Sequence, residues 1–349
     1  MDPSIYRLLD ANFNRAREGL RVIEDCARFV LDDPTISGMA KLLRADLQTV
    51  HEALGPDVLL TSRDTPGDVG AGIVTDAELA RADVAQVVSA ACKRLSEALR
   101  TIEEYTKLLR PAMTGRVEKL RYGSYTLEQR IGSRLQTTGR MAEGGLYAIL
   151  SSDLCKQSVR QTAEAVLAAG VKIIQLREKH TPDDQFYALA CELRQLTDQH
   201  DALFIVNDRA DIAALTGADG VHLGQGDLPL ADVRRLLRPG ALVGRSTHSL
   251  ADAQHAVHEG ADYIGFGAVF DTTTKAKPIR VGTEMLIDVL VGVPDSLPVV
   301  AIGGITLKNL PEVRQAGARW VAVSSALCQA DDPELAAREL IAAIASTDR

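Results

Sequence analysis

The stretch Lys172-Ile173-Ile174-Gln175-Leu176-Arg177-Glu178-Lys179 decides the fold class, because a short, largely apolar run in it passes directly into a polar end. Residues 172–176 are too few for a helix, and the run lacks the alternation of a strand with one wet face, so it reads as a strand covered on both faces. Runs of the same kind lie on either side. Leu146–Leu150 precedes it, and Leu203–Val206, Gly220–Leu223, Leu242–Gly244, Tyr263–Phe266, Val299–Ile302 and Trp320–Val323 follow. Helical patterns separate them, among them Ser158–Ala169, Asp183–His200, Leu250–Glu259, Leu307–Ala316 and Pro333–Ala345. Strand and helix in regular alternation predict a parallel sheet, and eight repeats from about Gly144 onward predict a (β/α)8 TIM barrel at the short end of its size range. A doubly wound open sheet is the alternative. The G-x-G-x-x-G fingerprint that often opens one is absent after the first strand.

Ahead of the barrel the pattern is different. Leu9, Phe13, Leu20, Ile23, Ala27 and Val30 recur at helical spacing within Ile5–Leu31, and further helical patterns cover Ile36–Leu54, Val84–Leu109 and Val117–Leu135. Asp33-Pro34 closes the first helix, because a residue before proline is pushed out of helical geometry. The expected organisation is an all-α N-terminal domain over residues 1–135 and the α/β barrel over residues 136–349. Within the helices the pattern Arg15-x-x-Glu18-x-Leu20-Arg21-x-Ile23-Glu24-Asp25 returns as Arg94-x-x-Glu97-x-Leu99-Arg100-x-Ile102-Glu103-Glu104. Two such helices could pack as a pseudo-symmetric pair. Charges at these spacings lace a helix surface. The alternative is that Arg15, Arg21, Arg94 and Arg100 converge on a phosphate, with the loop around Arg63 closing over it.

A net charge of −8 argues against a nucleic-acid partner, so an anionic ligand must be held locally by Arg, Lys, backbone N–H groups or a metal. No apolar run reaches the roughly 18 residues that span a bilayer, and Met1-Asp2-Pro3-Ser4 does not open a signal peptide. Cys26, Cys92, Cys155, Cys191 and Cys328 are odd in number and scattered, which fits reduced packing thiols in a cytoplasmic protein.

In a barrel the chemistry gathers where the strands end, since those loops share one mouth. Side chains alternate along a strand, so Gln175, Arg177 and Lys179 point one way and form an anion site, while Leu176 points into the packing layer. Asp208 and Asp227, from neighbouring strands and without a Cys or His cluster, suit Mg²⁺, which takes one or two carboxylates and fills its remaining positions with water and phosphate oxygens. A pair of acid/base carboxylates is the competing reading. Metal together with Arg177, Lys179 and Lys275 points to pyrophosphate. Gly303-Gly304 and Ser324-Ser325 stand where such barrels hold a second phosphate on backbone N–H groups. Thr272-Thr273-Thr274-Lys275 adds hydroxyls and a cation. His222 reads as a packed core imidazole, and His248, at a strand end, as a candidate proton shuttle.

Together these segments resemble the thiamine-phosphate synthase family. The resemblance is carried by the ordered series Gln175-x-Arg177-x-Lys179, Asn207-Asp208, Val221-His222-Leu223-Gly224-Gln225-x-Asp227, Ser246-Thr247-His248, Phe270-x-Thr272-x-Thr274-Lys275 and Ala301-Ile302-Gly303-Gly304-Ile305. It implies a transferase that joins hydroxymethylpyrimidine diphosphate to thiazole phosphate, releasing pyrophosphate. It further implies that Gln175, Leu176, Arg177, Glu178, Lys179, Asn207, Ser246 and Lys275 hold the pyrimidine diphosphate and that Asp208 and Asp227 bind Mg²⁺. Thr272, Thr273, Thr274, Gly304, Ser324 and Ser325 would receive the thiazole phosphate. Arg177, Lys179, Lys275 and Ser246 would serve a dissociative reaction in which the diphosphate leaves before the thiazole nitrogen attacks. Asp271 departs from the family, which commonly has proline there. The N-terminal domain resembles a non-standard hydroxymethylpyrimidine-phosphate kinase, although no Walker A or kinase glycine loop is present. The partners implied are small phosphorylated molecules, and a homo-oligomer is compatible with the sequence. Two other classes stay open: a thiazole phosphate tautomerase working through His248, and a ligand-binding regulatory barrel.

Overall fold

The computed structural model describes residues 3–69, 80–141, 143–272 and 280–346. The chain divides into two compact units, Met1–Gln136 and Thr137–Arg349.

In the first unit the helical periodicity takes the form of α1 (Pro3–Phe29), α2 (Pro34–Leu54), α3 (Pro56–Thr61), α4 (Val84–Leu109) and α5 (Thr114–Arg140). Leu9, Phe13, Ala16, Leu20, Ile23 and Ala27 form the buried stripe of α1, and Val88, Leu95, Leu99 and Ile102 that of α4. Asp33 separates α1 from α2 by capping the latter: its carboxylate accepts from the N–H groups of Thr35 and Ile36, both at 2.9 Å. The echoed motif has a structural meaning. Arg21 pairs along its own helix with Glu24 (3.7 Å) and Asp25 (3.2 Å), as Arg100 does with Glu103 (3.2 Å) and Glu104 (2.8 Å). Each buried glutamate also receives an arginine from a following helix, Arg44 on Glu24 and Arg121 on Glu103, both at 2.6 Å. Arg21 and Arg100 are therefore engaged along their own helix surfaces, as the charge spacing predicts.

The second unit is a closed, all-parallel barrel of eight strands, each paired with its neighbours in chain order and the last with the first. The strands are β1 (Gly145–Leu150), β2 (Ile173–Leu176), β3 (Leu203–Asn207), β4 (Gly220–Leu223), β5 (Leu242–Thr247), β6 (Tyr263–Phe266), β7 (Val299–Ile302) and β8 (Trp320–Val323). Alternation sorts each strand into two layers. Ala148, Leu150, Ile174 and Leu176 pack outward against the helices, whereas Tyr147, Ile149, Ile173, Leu203, Ile205, Tyr263 and Trp320 fill the interior. The indole N–H of Trp320 donates to the carbonyl of Met141 at 2.8 Å. β5 runs three residues beyond its apolar stretch because its polar side chains are satisfied within the fold. Arg245 donates to the Gly224 carbonyl (2.9 Å) and Thr247 to that of Gly265 (3.2 Å). Among the described residues, no helix is long and apolar enough to cross a membrane. All five cysteines are free.

Candidate active site

A cavity opens among the strand ends, lined by Gln175, Arg177, Asn207, His222, Ser246, His248, Thr272, Gly303, Gly304, Ser324 and Ser325, with Tyr147 and Tyr263 also on its wall. The inward positions of β2 deliver Gln175 and Arg177 to it, while the outward residue between them, Leu176, is fully buried in the outer packing layer. Gln175 donates to the Tyr147 hydroxyl at 2.8 Å, and that hydroxyl lies 3.0 Å from the hydroxyl of Tyr263. Tyr263 is 3.1 Å from His222 Nδ1, and His222 Nε2 is 3.0 Å from Ser246 Oγ. A continuous polar chain thus crosses the barrel from β2 to β5. Burial raises the pKa of both tyrosines, which keeps them as neutral donors within the chain. Gly244 makes room for it, since a Cβ there would lie 2.2 Å from Tyr263 Cζ and 2.6 Å from His222 Nδ1.

Beside this cavity Lys179 pairs with Asp208. Asp208 has φ +60°, a left-handed conformation that aspartate tolerates better than most residues, and its N–H is held by the His222 carbonyl at 2.8 Å. Asp227 accepts from the Gly224 N–H at 2.6 Å. Its pKa is raised, first by burial and also by the charge and the hydrogen bond of Asp208. The two carboxylates therefore stand near enough for the charge of one to act on the other, with Lys179 as the adjacent cation. No group of three or more His, Cys, Asp or Glu side chains suited to a metal occurs among the described residues. A pair of hard, mutually repelling carboxylates fits Mg²⁺, which accepts two protein oxygens and otherwise water or phosphate, and does not fit a structural zinc site. Arg177, with no ion pair among the described residues, faces the same mouth.

The other wall is built from backbone. Gly303 and Gly304 have φ +102° and +66°, and a Cβ on Gly304 would sit 2.3 Å from the Asp271 carbonyl. Only glycine allows this turn, which brings peptide groups to the cavity. Asn309 fixes it by donating to the Gly304 carbonyl at 2.9 Å. Ser325 opens the short helix Ser325–Cys328. Asp271, the departure from the family pattern, is exposed and lies 3.4 Å from Arg280, which offsets its charge.

Among the described residues, five predicted site residues do not line the cavity: Lys179, Asp208 and Asp227, which stand at the ends of the neighbouring strands, and Leu176 and Glu178. Leu176 faces outward as the strand period requires, and Glu178 is engaged elsewhere, accepting from the Ser152 N–H at 2.7 Å and from the Thr181 hydroxyl. Thr273, Thr274 and Lys275 lie outside the described residues. Tyr147 and Tyr263 were not singled out in the sequence, and His222 was read as core packing, because all three sit within apolar strands. Their only sequence signal is a polar tip on an inward position. His248 reaches the cavity, with Nδ1 against the Gly267 carbonyl.

Residues 146–327 match the family model described as thiamine monophosphate synthase, and residues 7–130 match the ThiD2 family. A thiamine-phosphate synthase from Synechocystis sp. is 42% identical over 339 residues, covering 97% of this chain and 96% of its own. One from Rhodopirellula baltica is 38% identical over 335 residues, covering 94% of this chain and 89% of its own. Among solved structures, the thiamine phosphate pyrophosphorylase from Pyrococcus furiosus superposes with a TM-score of 0.55 at 36% identity, covering 60% of this chain and 99% of that one. On the strength of a barrel-length family match and of relatives that run alongside nearly the entire sequence, this chain belongs to the thiamine monophosphate synthase family of enzymes, with a ThiD2 family domain at its N-terminus.

Proposed function

We propose that the barrel joins hydroxymethylpyrimidine diphosphate to thiazole phosphate, forming thiamine phosphate and pyrophosphate. The observation that carries this reading is the cavity in which Arg177, Asn207 and Ser246 line one wall and the Gly303-Gly304 turn with Ser325 the other, with Lys179 and the carboxylates of Asp208 and Asp227 just beyond the ends of β2, β3 and β4. One side suits a diphosphate and the other a monophosphate. Gln175, Asn207 and Ser246 orient the pyrimidine ring, and the tyrosine–His222 chain holds Gln175 and Ser246 in place. Asp208 and Asp227 are the residues that would hold Mg²⁺, which when bound neutralises charge on the diphosphate as a Lewis acid. Arg177 and Lys179 stabilise the negative charge that grows on the leaving diphosphate, a form of catalysis that needs no protein nucleophile. The carbon–oxygen bond breaks first, the pyrimidinylmethyl cation is met by the thiazole nitrogen, and pyrophosphate carries away the bonding pair. Lys275 and the threonines beside it belong to this reading by resemblance to the family.

The ThiD2 family match over residues 7–130 supports a second activity, ATP-dependent phosphorylation of hydroxymethylpyrimidine phosphate, which would supply the diphosphate that the barrel consumes. The barrel reading is tested by supplying both phosphorylated substrates and following thiamine phosphate. Formation should stop on chelation of divalent metal and return when Mg²⁺ is restored. Undiminished product in excess chelator would contradict the metal's part.

A further inference from the structure

The two echoed helices of the first unit agree in their structural charges and disagree along one face. On α1, Arg7, Asp10, Asn14 and Arg17 follow at spacings that place them on one side of the helix. The equivalent positions of α4, at the offset that aligns Arg15 with Arg94, are Gln86, Ser89, Lys93 and Ser96. A purely structural face would have had equal reason to persist in both copies. It persists where Glu24 and Glu103 are buried and changes around Asp10.

Asp10 is 6% exposed, and its carboxylate is held by Arg63 through two hydrogen bonds of 2.7 and 2.9 Å. Asn14 reaches the same carboxylate at 3.4 Å. Arg7 grips the neighbouring residue of that loop, donating to the Asp64 carbonyl at 2.8 Å and lying 3.3 Å from its carboxylate. Across from them on α2, His51 packs edge-on to Phe13 with ring centroids 5.1 Å apart, and its enclosed Nδ1 has no hydrogen-bond partner among the described residues. Arg17 follows Phe13 by one helical turn on α1, which sets it on the side of the helix that His51 packs against. Arg17 is exposed and makes no ion pair among the described residues. Asp10 is buried but Arg63 keeps 45% of its side chain open to solvent and commits only Nε and Nη2 to the carboxylate, so its remaining N–H groups stay available, and the enclosed His51 nitrogen is left unsatisfied among the described residues. A ligand with acceptor oxygens explains both features.

We propose that this face of α1, with Arg63 and His51, is the phosphate-binding site of the N-terminal unit and receives a phosphomonoester. The inference rests on the kinase reading above and gives that activity a location. Arg63, held flat by Asp10, and Arg17 present guanidinium groups to the phosphate, and Asp10 acts as the positioning residue for Arg63. In the transfer, a phosphate oxygen of the acceptor bonds to the γ-phosphorus of a nucleoside triphosphate. The bond from that phosphorus to the β–γ bridging oxygen breaks, and the nucleoside diphosphate departs with the electron pair.

The test uses the full chain with two assays. One supplies ATP and hydroxymethylpyrimidine phosphate and follows ADP; the other supplies the preformed diphosphate with thiazole phosphate and follows pyrophosphate. Asp10→Asn and Arg63→Gln should lower ADP formation by about 10²-fold or more while pyrophosphate release is unchanged. Arg17→Gln, at an exposed position that folding does not need, should act mainly by raising KM for the phosphomonoester. Lys93→Gln, on the equivalent face of α4, should change neither assay. ADP formation in wild type with all three variants unimpaired overturns the site alone, whereas wild type that forms no ADP overturns the kinase reading and the site with it.

Discussion

The residue that best shows how this site is made is Asp208. Its left-handed backbone costs on the order of 1 kcal/mol, and the strand-end turn sustains it by anchoring its N–H to the His222 carbonyl. The turn sets its carboxylate beside Asp227 and Lys179, which an extended continuation of β3 would carry past them. Cys155 sits just beyond the end of β1 and is set by a neighbour in another way. The neighbouring Cys328 thiol first, and with it the Thr162 hydroxyl and the Ser151 backbone, hold its pKa down to about 7, while burial pushes Cys92 up to about 12. Polar neighbours favour the thiolate, so lowering follows, and the reactive form accumulates as pH rises through neutrality. Alkylation followed by mass spectrometry should show Cys155 labelling with a midpoint near pH 7 while Cys92 stays inert. In Cys328→Ala the midpoint should move up toward the ordinary thiol range, about 8.5. Labelling of Cys155 with an ordinary midpoint in the wild type would show that the thiol pair does not form.

At the scale of elements, the strands were legible because burial on both faces leaves an apolar run whatever the detailed packing. The run also indicated where chemistry begins, since Gln175 and Arg177 follow from the strand period alone. The period likewise sends Leu176 outward, and the resemblance that made it a ligand residue did not carry that geometry. The polar chain through Tyr147, Tyr263 and His222 was not legible, because hydrogen bonds between strands depend on register and on the space left by Gly244. The short helix α3, six residues long, makes fewer than two turns and leaves no repeat of the helical period to read. The echo in α1 and α4 was legible as a repeat, but the partners of Glu24 and Glu103 on α2 and α5 were not. Those partners have a measurable consequence. Removing Arg121, only 12% exposed, would leave buried Glu103 with the half-exposed Arg100 alone, so Arg121→Met should cost about 1–3 kcal/mol in denaturant unfolding. Arg44→Met should cost less, because that side chain is 33% exposed and water can replace it. Equal small losses in both would mean that these two arginines do not hold the buried glutamates in place.

Across the whole molecule, two family domains share one chain, and the chemistry proposed for them is consecutive: the product of one is the substrate of the other. The account stands first on the barrel, where Arg177 and a glycine turn line one cavity and Lys179 with two carboxylates stands at the adjoining strand ends. The direct measurement is pyrophosphate release by the full chain given hydroxymethylpyrimidine diphosphate, thiazole phosphate and Mg²⁺, compared with Asp208→Ala. Wild type should release one pyrophosphate for each thiamine phosphate formed, and Asp208→Ala should fall by about 10²-fold or more with its folded state intact. No release from wild type, or full release from Asp208→Ala, would contradict the account.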